Sequence, residues 1–480
     1  MPDLTPRRRM LVLAVCCSSL FIVGLDNTIV NLALPSIRRD LGSSLSGLQW
    51  VIDAYTLVLA SLLMLGGSTG DRIGRRRTFQ TGLTLFGVGS LLCSLAPSTG
   101  WLIGFRALQA VGGSMLNPVA MSIITNVFTE RAERARAIGV WGSVIGLSMA
   151  LGPLLGGLLV DVVGWRSVFW INVPVVVAVV VLTTRFVPES RAPRARRFDP
   201  HGQLMMIVLL AGVTFGIIEG PTRGWGSALI VGSFVASAAA LVGLLVVESR
   251  RAEPLLDPRF FASVPFSSAT LVAIAAFAAL AGFLFLNALY LQDVRGYSPL
   301  HAGLLTLPMA LMTALLPPIS GRIVATRGPR LPLVVGGVGI AASGVLLLTL
   351  DQDTSLLLVI AAYVLFGLGF GMINAPITNT AVSGMPLAQA GVAAAVASTS
   401  RQVGSALGVA VLGSLVTAAV GASFAADFAG AARPAWAVVI GCGLLVVALG
   451  VASTTGWARA TARRTAERFD AAALVPAVVR

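Results

Sequence analysis

The chain has 480 residues, of which 56% are hydrophobic and 11% are charged, and its mean hydropathy is +0.88. A soluble domain carries about 25% charged residues, so this composition excludes an ordinary soluble protein and indicates many membrane spans. The formal net charge of +14 arises from 34 basic residues, all of which are arginines. Because these arginines fall in short segments between apolar runs, they argue against a nucleic-acid-binding surface.

Fourteen apolar runs approach the roughly 20 residues that a helix needs to cross a bilayer. If the N-terminus lies inside, 26 of the 34 arginines fall in inside segments and six in outside segments. This bias predicts an even number of spans and cytoplasmic termini, with the arginines facing the anionic inner leaflet. The runs are 10–34, 47–66, 78–96, 101–126, 136–160, 166–187, 203–219, 226–247, 264–291, 300–321, 332–350, 355–378, 401–421 and 435–457.

The first run follows three arginines and resembles a signal peptide at its start. It continues past any plausible cleavage point, so we expect it to remain as the first transmembrane helix. It contains the sequence LDNTIVNLALP at 25–35, which places Asp26 about 16 residues past the inside end. A carboxylate at this depth costs about 2.5–3.5 kcal/mol. Asp26 is therefore predicted to be a proton site or a cation contact; the alternative is a packing hydrogen bond with Asn27 or Thr28.

The second run opens with WVIDAY at 50–55, so Asp53 lies within about two turns of the predicted outer end. One interpretation is that Asp53 guards the outer mouth of a cavity or exchanges protons with outside water. The alternative is a hydrated acid at the membrane surface, with Trp50 and Tyr55 as ordinary interfacial anchors.

The sequence GSTGDRIGRRR at 67–77 separates the second and third runs and predicts a tight, basic, cytoplasmic hairpin. It resembles the signature loop between helices 2 and 3 of the major facilitator superfamily. The resemblance implies that Asp71 contacts arginines across an interface and holds an inner gate shut while the site faces outward. The matching residues are Gly67, Asp71, Arg72, Gly74, Arg75 and Arg76.

A weaker copy of this pattern recurs as Gly321, Gly328 and Arg330, with Ala325 in place of the acid. With the resemblance, it predicts an all-α polytopic membrane protein with the major facilitator fold and 14 transmembrane helices, arranged 6 + 2 + 6. The expected parts are an N-terminal six-helix half at 1–198, two inserted linker helices at 199–258, a C-terminal six-helix half at 259–458 and a cytoplasmic tail at 459–480.

The fourth run carries RALQAVGG at 106–113, which resembles the buried-arginine motif of the same superfamily, although Ala110 replaces its first glycine. An arginine within a bilayer must face protein or water and find an acid or carbonyl groups. The positive charge of Arg106 favours the ionised form of a nearby carboxylate, so it is a candidate partner for the proton site. The alternative is a structural arginine bound to backbone carbonyls.

The fifth run carries GPLLGG at 152–157, which resembles the motif that marks exporters within the superfamily, with Ser148 at the position of its leading glycine. Pro153 removes a helical hydrogen bond, and the small residues permit close helix approach. Gly152, Pro153, Gly156 and Gly157 are therefore predicted to form a hinge and a seal between the halves. A plain helix-packing face is the alternative.

Four segments together resemble the fourteen-helix drug:proton antiporter branch: 25–35, 50–55, 165–174 and the sequence RQVGSALG at 401–408. The aromatic residues of 165–174 are predicted to form an interfacial belt at the outer surface. In the glycine-rich twelfth run, Asn374 is predicted to contribute with Arg401 to an inner gate.

The resemblance implies a multi-pass, proton-coupled antiporter of the plasma (inner) membrane that exports antibiotics or other lipophilic toxic compounds by alternating access. The expected energy source is the proton gradient, with no cofactor, metal or nucleic-acid partner. A Gly-x-x-x-x-Gly-Lys nucleotide loop is impossible in a chain without lysine, which excludes ATP-driven transport by this chain alone. Since the spanning runs of the C-terminal half contain no acid, the expected substrate is neutral or monocationic.

Other functions remain open at this stage. The same scaffold is compatible with the export of an endogenous metabolite or a siderophore. A polytopic membrane enzyme would need His, Cys or acidic residues clustered at one depth, and the spacing of the four cysteines indicates neither a metal site nor a disulfide. A non-transporting sensor would need a large soluble domain, whereas the longest inside connections have only about 20 residues.

Overall fold

The computed structural model describes residues 5–192, 199–251, 257–383, 390–421 and 423–474. Within these ranges the chain is helical and contains no β-strand. The α-helices are α1 (Pro6–Leu41), α2 (Leu45–Ile73), α3 (Arg75–Ser94), α4 (Thr99–Val127), α5 (Arg131–Val162), α6 (Ser167–Trp170), α7 (Asn172–Phe186), α8 (Pro200–Arg223), α9 (Ala228–Arg250), α10 (Val264–Leu289), α11 (Pro299–Arg327), α12 (Arg330–Leu347), α13 (Leu356–Val382), α14 (Ala390–Ala419), α15 (Phe424–Ala452) and α16 (Gly456–Leu474).

Thirteen segments of the described chain are long and apolar enough to cross a membrane, and α6 and α7 together form one of them. The segment missing from this set is α3, whose first turn consists of three arginines. It has 20 residues and packs against α4 along its length. The all-helical polytopic fold is thus confirmed, while the count of fourteen spans stays a prediction that depends on α3.

The predicted loop at 67–77 is mostly helical in the structure. Helix α2 continues to Ile73 and α3 begins at Arg75, so Gly74 alone joins them. Its φ of +128° is a conformation that side chains rarely adopt, and a Cβ there would also collide with the Glu189 carboxylate. The sharp reversal therefore depends on glycine at this one position.

Two helix pairs, α5 with α11 and α2 with α14, connect the helices that precede α8 and α9 with those that follow them. Helix α5 packs against both α1 and α11, and α2 packs against both α4 and α14. The remaining packing is mostly local, with α3 on α4, α10 on α14, and α12 on α13 and α15. Across the boundary between the groups α1–α7 and α10–α15, α5 therefore faces α11 and α2 faces α14. The residue boundaries of the predicted halves remain a prediction.

Helices α8 and α9 form a hairpin, and α8 packs on both α2 and α14. The Gln203 side chain donates to the Ser61 carbonyl at 2.6 Å near one end of α8. Near the other end, the Trp50 indole donates to Glu219 at 3.0 Å, and Glu219 also pairs with Arg223. The linker hairpin is therefore attached to α2 at two levels.

The predicted C-terminal tail is helical over most of its described length. Helix α16 packs against α10, and the Phe469 ring lies 5.1 Å from the Phe260 ring. The Arg259 guanidinium lies over the Phe469 ring at 4.7 Å. These contacts attach α16 to the start of the helix group α10–α15.

Candidate proton-coupling site

The centre of the candidate site is an ion pair between α1 and α4. The Arg106 guanidinium donates through Nη1 to Asp26 Oδ2 at 2.5 Å. Asp26 is 0% exposed and Arg106 is 1% exposed. Two opposite charges at this separation compensate each other's loss of hydration, which neither could do alone in an apolar interior. The sequence-based pairing of Asp26 with Arg106 is thus present as a direct contact.

Neutral groups complete the coordination of the Asp26 carboxylate. Oδ1 accepts from the Gln109 amide at 2.9 Å and from the Asn172 amide at 3.3 Å. The Asn172 amide also donates to the Ser90 hydroxyl, which in turn donates to the Phe169 carbonyl. Asp26 of α1 is therefore bonded directly to α4 and α7, and α3 holds Asn172 in place through Ser90.

Arg106 has further partners besides the acid. Its Nε donates to the Val51 carbonyl at 3.1 Å, and its Nη1 also donates to Gln109 at 2.8 Å. The guanidinium carbon lies 4.1 Å from the centre of the Tyr55 ring, close enough for a cation–π contact. Arg106 therefore binds both an acid and a backbone carbonyl, and its role in proton coupling stays a prediction.

The alternative for Asp26, a packing bond with its neighbours, differs from the observed contacts. The Thr28 hydroxyl donates to the Gly24 and Leu25 carbonyls, and the Asp26 bonds go to α4 and α7. Sequence reasoning assigned no role to Gln109 or Asn172. Gln109 lies three residues after Arg106, on the same helix face, and that spacing was the available signal. Asn172 lies in the segment 165–174 that resembles the antiporter branch, but that segment does not indicate Asp26 as its partner, since only the tertiary fold brings α7 to α1.

Asp53 is buried by α2 and its packing neighbours and is 0% exposed. The Thr56 hydroxyl donates to Oδ1 at 3.3 Å, while Oδ2 has no hydrogen-bond partner. The prediction of a hydrated interfacial acid is therefore wrong for this structure, because the helix faces that pack on α2 cover the side chain.

The glycines of the fifth predicted helix lie at two helix contacts. A Cβ on Gly152 would overlap the Thr28 hydroxyl, and a Cβ on Gly156 would lie 2.9 Å from Ile29. On the opposite face, a Cβ on Gly157 would lie 2.5 Å from the Pro299 carbonyl oxygen. Helix α5 thus packs tightly against the α1 turn that follows Asp26 and against the start of α11. Pro153 lies in the same contact, with its carbonyl against Gly303.

Polar contacts join the two helix groups at the predicted outer end. The Gln49 amide donates to the Val409 and Ala410 carbonyls, each at 3.0 Å, and the Gln292 amide donates to the Leu32 carbonyl at 2.9 Å. An ion pair between Arg38 and Asp293 adds a fourth contact at 3.4 Å. Sequence reasoning missed both glutamines, because a single amide at a helix end carries no distinctive pattern.

The signature residues around Asp71 form contacts within the first helix group. Asp71 pairs with Arg75 at 2.9 Å, and the Arg76 backbone N–H donates to Glu189 at 3.0 Å. The Asp71 carbonyl accepts from the Ala192 N–H, so the segment after α7 covers this hairpin. Gly67 packs against Pro118 of α4. The observed acid–arginine pair is therefore local, and the predicted contact across the interface remains a prediction for another state.

Arg401 lies within α14 and is half-buried. Its Nη2 donates to the Thr378 hydroxyl at 2.6 Å, and its Nε is buried without a partner. The guanidinium lies 5.8 Å from the centre of the Phe277 ring. Asn374 is half-buried on α13, one turn before Thr378. The two predicted gate residues thus lie on neighbouring helices.

The fold and the buried ion pair define a polytopic helical membrane protein of the transporter class. Residues 16–409 match the profile of the Major Facilitator Superfamily, and the chain belongs to that family.

Two similar proteins are named for resistance. The chain is 37% identical to the multidrug resistance protein Stp of Mycobacterium tuberculosis (strain CDC 1551 / Oshkosh), over 86% of this chain and 76% of the relative. It is 39% identical to the tetracenomycin C resistance and export protein of Streptomyces glaucescens, over 86% and 77%. The crystal structure of a POT family transporter in complex with 5-aminolevulinic acid matches with a TM-score of 0.70 at 16% identity, over 94% of this chain and 97% of that one, which shows the shared fold.

Proposed function

We propose that this protein exports antibiotics or other lipophilic toxic compounds across the plasma membrane in exchange for protons. Membership of the Major Facilitator Superfamily and the names of the two relatives support export of small molecules. The observation that carries the proton coupling is the buried pair of Asp26 and Arg106. The membrane potential supplies about 2.3 kcal/mol per charge per 100 mV to such a cycle, so no cofactor and no ATP are required.

The contacts around Asp26 suggest how proton binding reaches the interface between the helix groups. Protonation removes the negative charge and with it the ion pair to Arg106, so the side chains at the α1–α4 contact rearrange. Thr28 and Ile29, which follow Asp26 on α1, pack directly on Gly152 and Gly156 of α5. The other face of α5 packs on α11, which belongs to the second group. A change at Asp26 is thereby passed to the α5–α11 contact that closes the predicted outer end.

We assign Asp53 as a second proton site. It lies one turn after Gln49, which donates to α14. An unpaired carboxyl beside this contact binds a proton in the closed arrangement and loses it when separation of α2 from α14 admits water. Two acids at different positions would then titrate in different steps of one cycle.

The signature hairpin is proposed to act as the inner gate. Opening of the outer end would bring the hairpin against the second helix group, where Asp71 could exchange Arg75 for an arginine of that group. Asp71→Asn is then expected to reduce transport while leaving drug binding largely intact. Equal loss of binding, with unchanged opening and closing rates, would contradict the gate.

The principal experiment is a panel of antibiotics and lipophilic dyes tested on susceptible cells that express the chain. We expect reduced accumulation that a protonophore abolishes and that Asp26→Asn removes. Arg322→Gln is the matched control, because Arg322 is exposed on α11 away from the ion pair. Accumulation that responds to ATP depletion at constant proton gradient would contradict proton coupling.

The proposed substrate is neutral or monocationic. Efflux of matched monovalent and divalent quaternary dyes tests this, since a dication needs acids from both walls of a cavity. Dication export as fast as that of the monovalent dye would contradict it.

The proposed topology, with both termini cytoplasmic, predicts cytoplasmic signals from reporters fused after Arg197 and after Arg468. A periplasmic signal from either fusion would overturn it.

A further inference from the structure

Arg401 is a half-buried charge within a spanning helix of the second group, and its guanidinium is only partly coordinated. One guanidinium N–H bonds to Thr378, Nε is buried without a partner, and no carboxylate of the described chain forms an ion pair with it. An arginine at such a depth is costly unless protein groups, water or a ligand compensate its charge. Its position therefore calls for an acceptor group that the contacts described above do not supply.

The acids of this helix group already have other partners. Asp293 pairs with Arg38, Asp427 accepts from the Gly421 and Ser423 backbone N–H groups, and Asp351 accepts from Thr354. These three acids lie at the predicted outer ends of the helices. The Asp351 N–H donates to the Thr354 hydroxyl, and the Asp351 carboxylate accepts from the Asp353 N–H, so these bonds stabilise their own loop. None lies on the faces of α10 and α13 that meet Arg401. To pair with Arg401, one of these acids would have to move along most of the length of a helix.

The surroundings of Arg401 have the composition of a ligand-binding wall. The Phe277 ring lies edge to face with the Phe370 ring at 5.0 Å, and Arg401 lies beside Phe277. Thr378 and Asn379 are exposed on α13, so polar groups and the guanidinium are accessible together. Phe370 is buried behind Phe277, so the half-buried Phe277 ring is the aromatic surface next to the cation. An aromatic surface beside a guanidinium suits a flat apolar compound that carries one acidic oxygen.

We propose that Arg401 binds a carboxylate or phenolate oxygen of the transported compound, whose apolar body packs on the half-buried Phe277 ring. A charge-assisted bond to the guanidinium replaces water at the free donors and compensates the charge. This inference rests on the proposed export function and extends its ligand class to zwitterions and monoanions. The site differs from the Asp26 pair, because it selects the ligand instead of responding to protons.

The test uses two dyes that differ in one group: rhodamine 110, which has a free carboxylate, and rhodamine 123, its methyl ester. Binding to the purified full-length protein in lipid nanodiscs is measured by fluorescence polarisation. Arg401→Gln should weaken rhodamine 110 binding at least about tenfold and change rhodamine 123 binding less than about twofold. Arg401→Lys, which keeps the charge, should recover part of the preference for the acid.

Arg322→Gln controls for a general electrostatic effect, because it removes one exposed positive charge from the same helix group. It should change the binding of neither dye. Equal weakening of both dyes by Arg401→Gln, or unchanged acid binding, overturns the proposal. If Arg401→Gln does not fold, Arg401→Lys decides: loss of the ester equal to that of the acid overturns it.

Efflux of the same dyes from cells separates this inference from the proposed function. Arg401-dependent binding of the acid without efflux of either dye contradicts export and leaves the ligand site supported. Efflux of both dyes that is indifferent to Arg401→Gln supports export and overturns the ligand site.

Discussion

Arg106 and Arg401 both lie within membrane-spanning helices, yet their surroundings differ. Arg106 is 1% exposed and binds Asp26, Gln109 and the Val51 carbonyl, with the Tyr55 ring against its face. Arg401 is half-buried, bonds to one hydroxyl and keeps one buried N–H without a partner. A charge whose partners are all internal belongs to the fold and its switching, whereas a charge with free donors facing an accessible wall is available to a ligand.

The two helix groups also differ in the bond that joins their central helices. In the first group, α1 and α4 are joined by a charged pair, while in the second, α10 and α13 are joined by a neutral bond from the Tyr363 hydroxyl to Asn287 at 2.6 Å. Only the first pair contains a carboxylate, the kind of group that the proposed exchange with protons requires. In the proposed mechanism, the proton-binding residues Asp26 and Asp53 thus lie in the first group, and the proposed ligand-binding residue Arg401 lies in the second.

The largest expected effect comes from breaking the ion pair on one side. Arg106→Gln strands the Asp26 carboxylate in the interior, which should cost about 3–5 kcal/mol of stability or force the acid to hold a proton. Adding Asp26→Asn removes the stranded charge and should recover folding but not proton-driven efflux. Thermal unfolding followed by size-exclusion chromatography, together with an efflux assay, measures both effects. A double variant as unstable as Arg106→Gln would show that the backbone contact of Arg106 matters more than the pair.

The next effect concerns the contact that passes a change at Asp26 to α5. Gly152→Ala places a methyl group on the Thr28 hydroxyl and should cost about 1–3 kcal/mol through overpacking, with loss of efflux. Gly142→Ala is the matched control on the same helix, because a Cβ there meets nothing within 4 Å. Full efflux by Gly152→Ala would exclude close α1–α5 packing from the mechanism.

A smaller effect on stability is expected when Asp53 is changed. One oxygen of its carboxyl group has no partner, whereas the Asp26 carboxylate is paired with Arg106. Asp53→Asn keeps the shape of a neutral carboxyl, so the free energy of unfolding should change by less than about 1 kcal/mol. Asp26→Asn, by comparison, leaves Arg106 without its acid and should destabilise more. The pH profile of efflux should nevertheless shift in Asp53→Asn. A large loss of stability would mean that Asp53 is ionised and paired in the membrane.

The smallest expected effect is that of Arg401→Gln on stability in the absence of ligand. Only the bond to Thr378 is lost, which corresponds to about 1 kcal/mol or less at a half-buried site. The same unfolding assay as for Arg106→Gln provides a direct comparison of the two arginines. A loss as large as that of Arg106→Gln would place Arg401 among the structural charges and remove the basis for the ligand site.

The sequence by itself determined the membrane class, the succession of helices, the family resemblance and the candidates Asp26, Asp53 and Arg106. Apolar run length, an acid inside such a run and glycine–proline spacing are local properties, and they are visible without the fold. The hairpin at 67–77 was also visible, although its reduction to Gly74 was not, because helix ends depend on contacts such as that with Glu189.

The tertiary structure alone decided which polar groups meet. Asn172 reaches Asp26 from 146 residues away, and Gln49 reaches Ala410 from 361 residues away. It also decided that Asp53 is covered by protein and that Asp71 pairs within its own hairpin. In an apolar run, one polar side chain looks the same whether it faces lipid, a neighbouring helix or a cavity. Only the packing of distant helices supplies or withholds its partner, and this is why the different coordination of Arg106 and Arg401 was not visible before the fold was known.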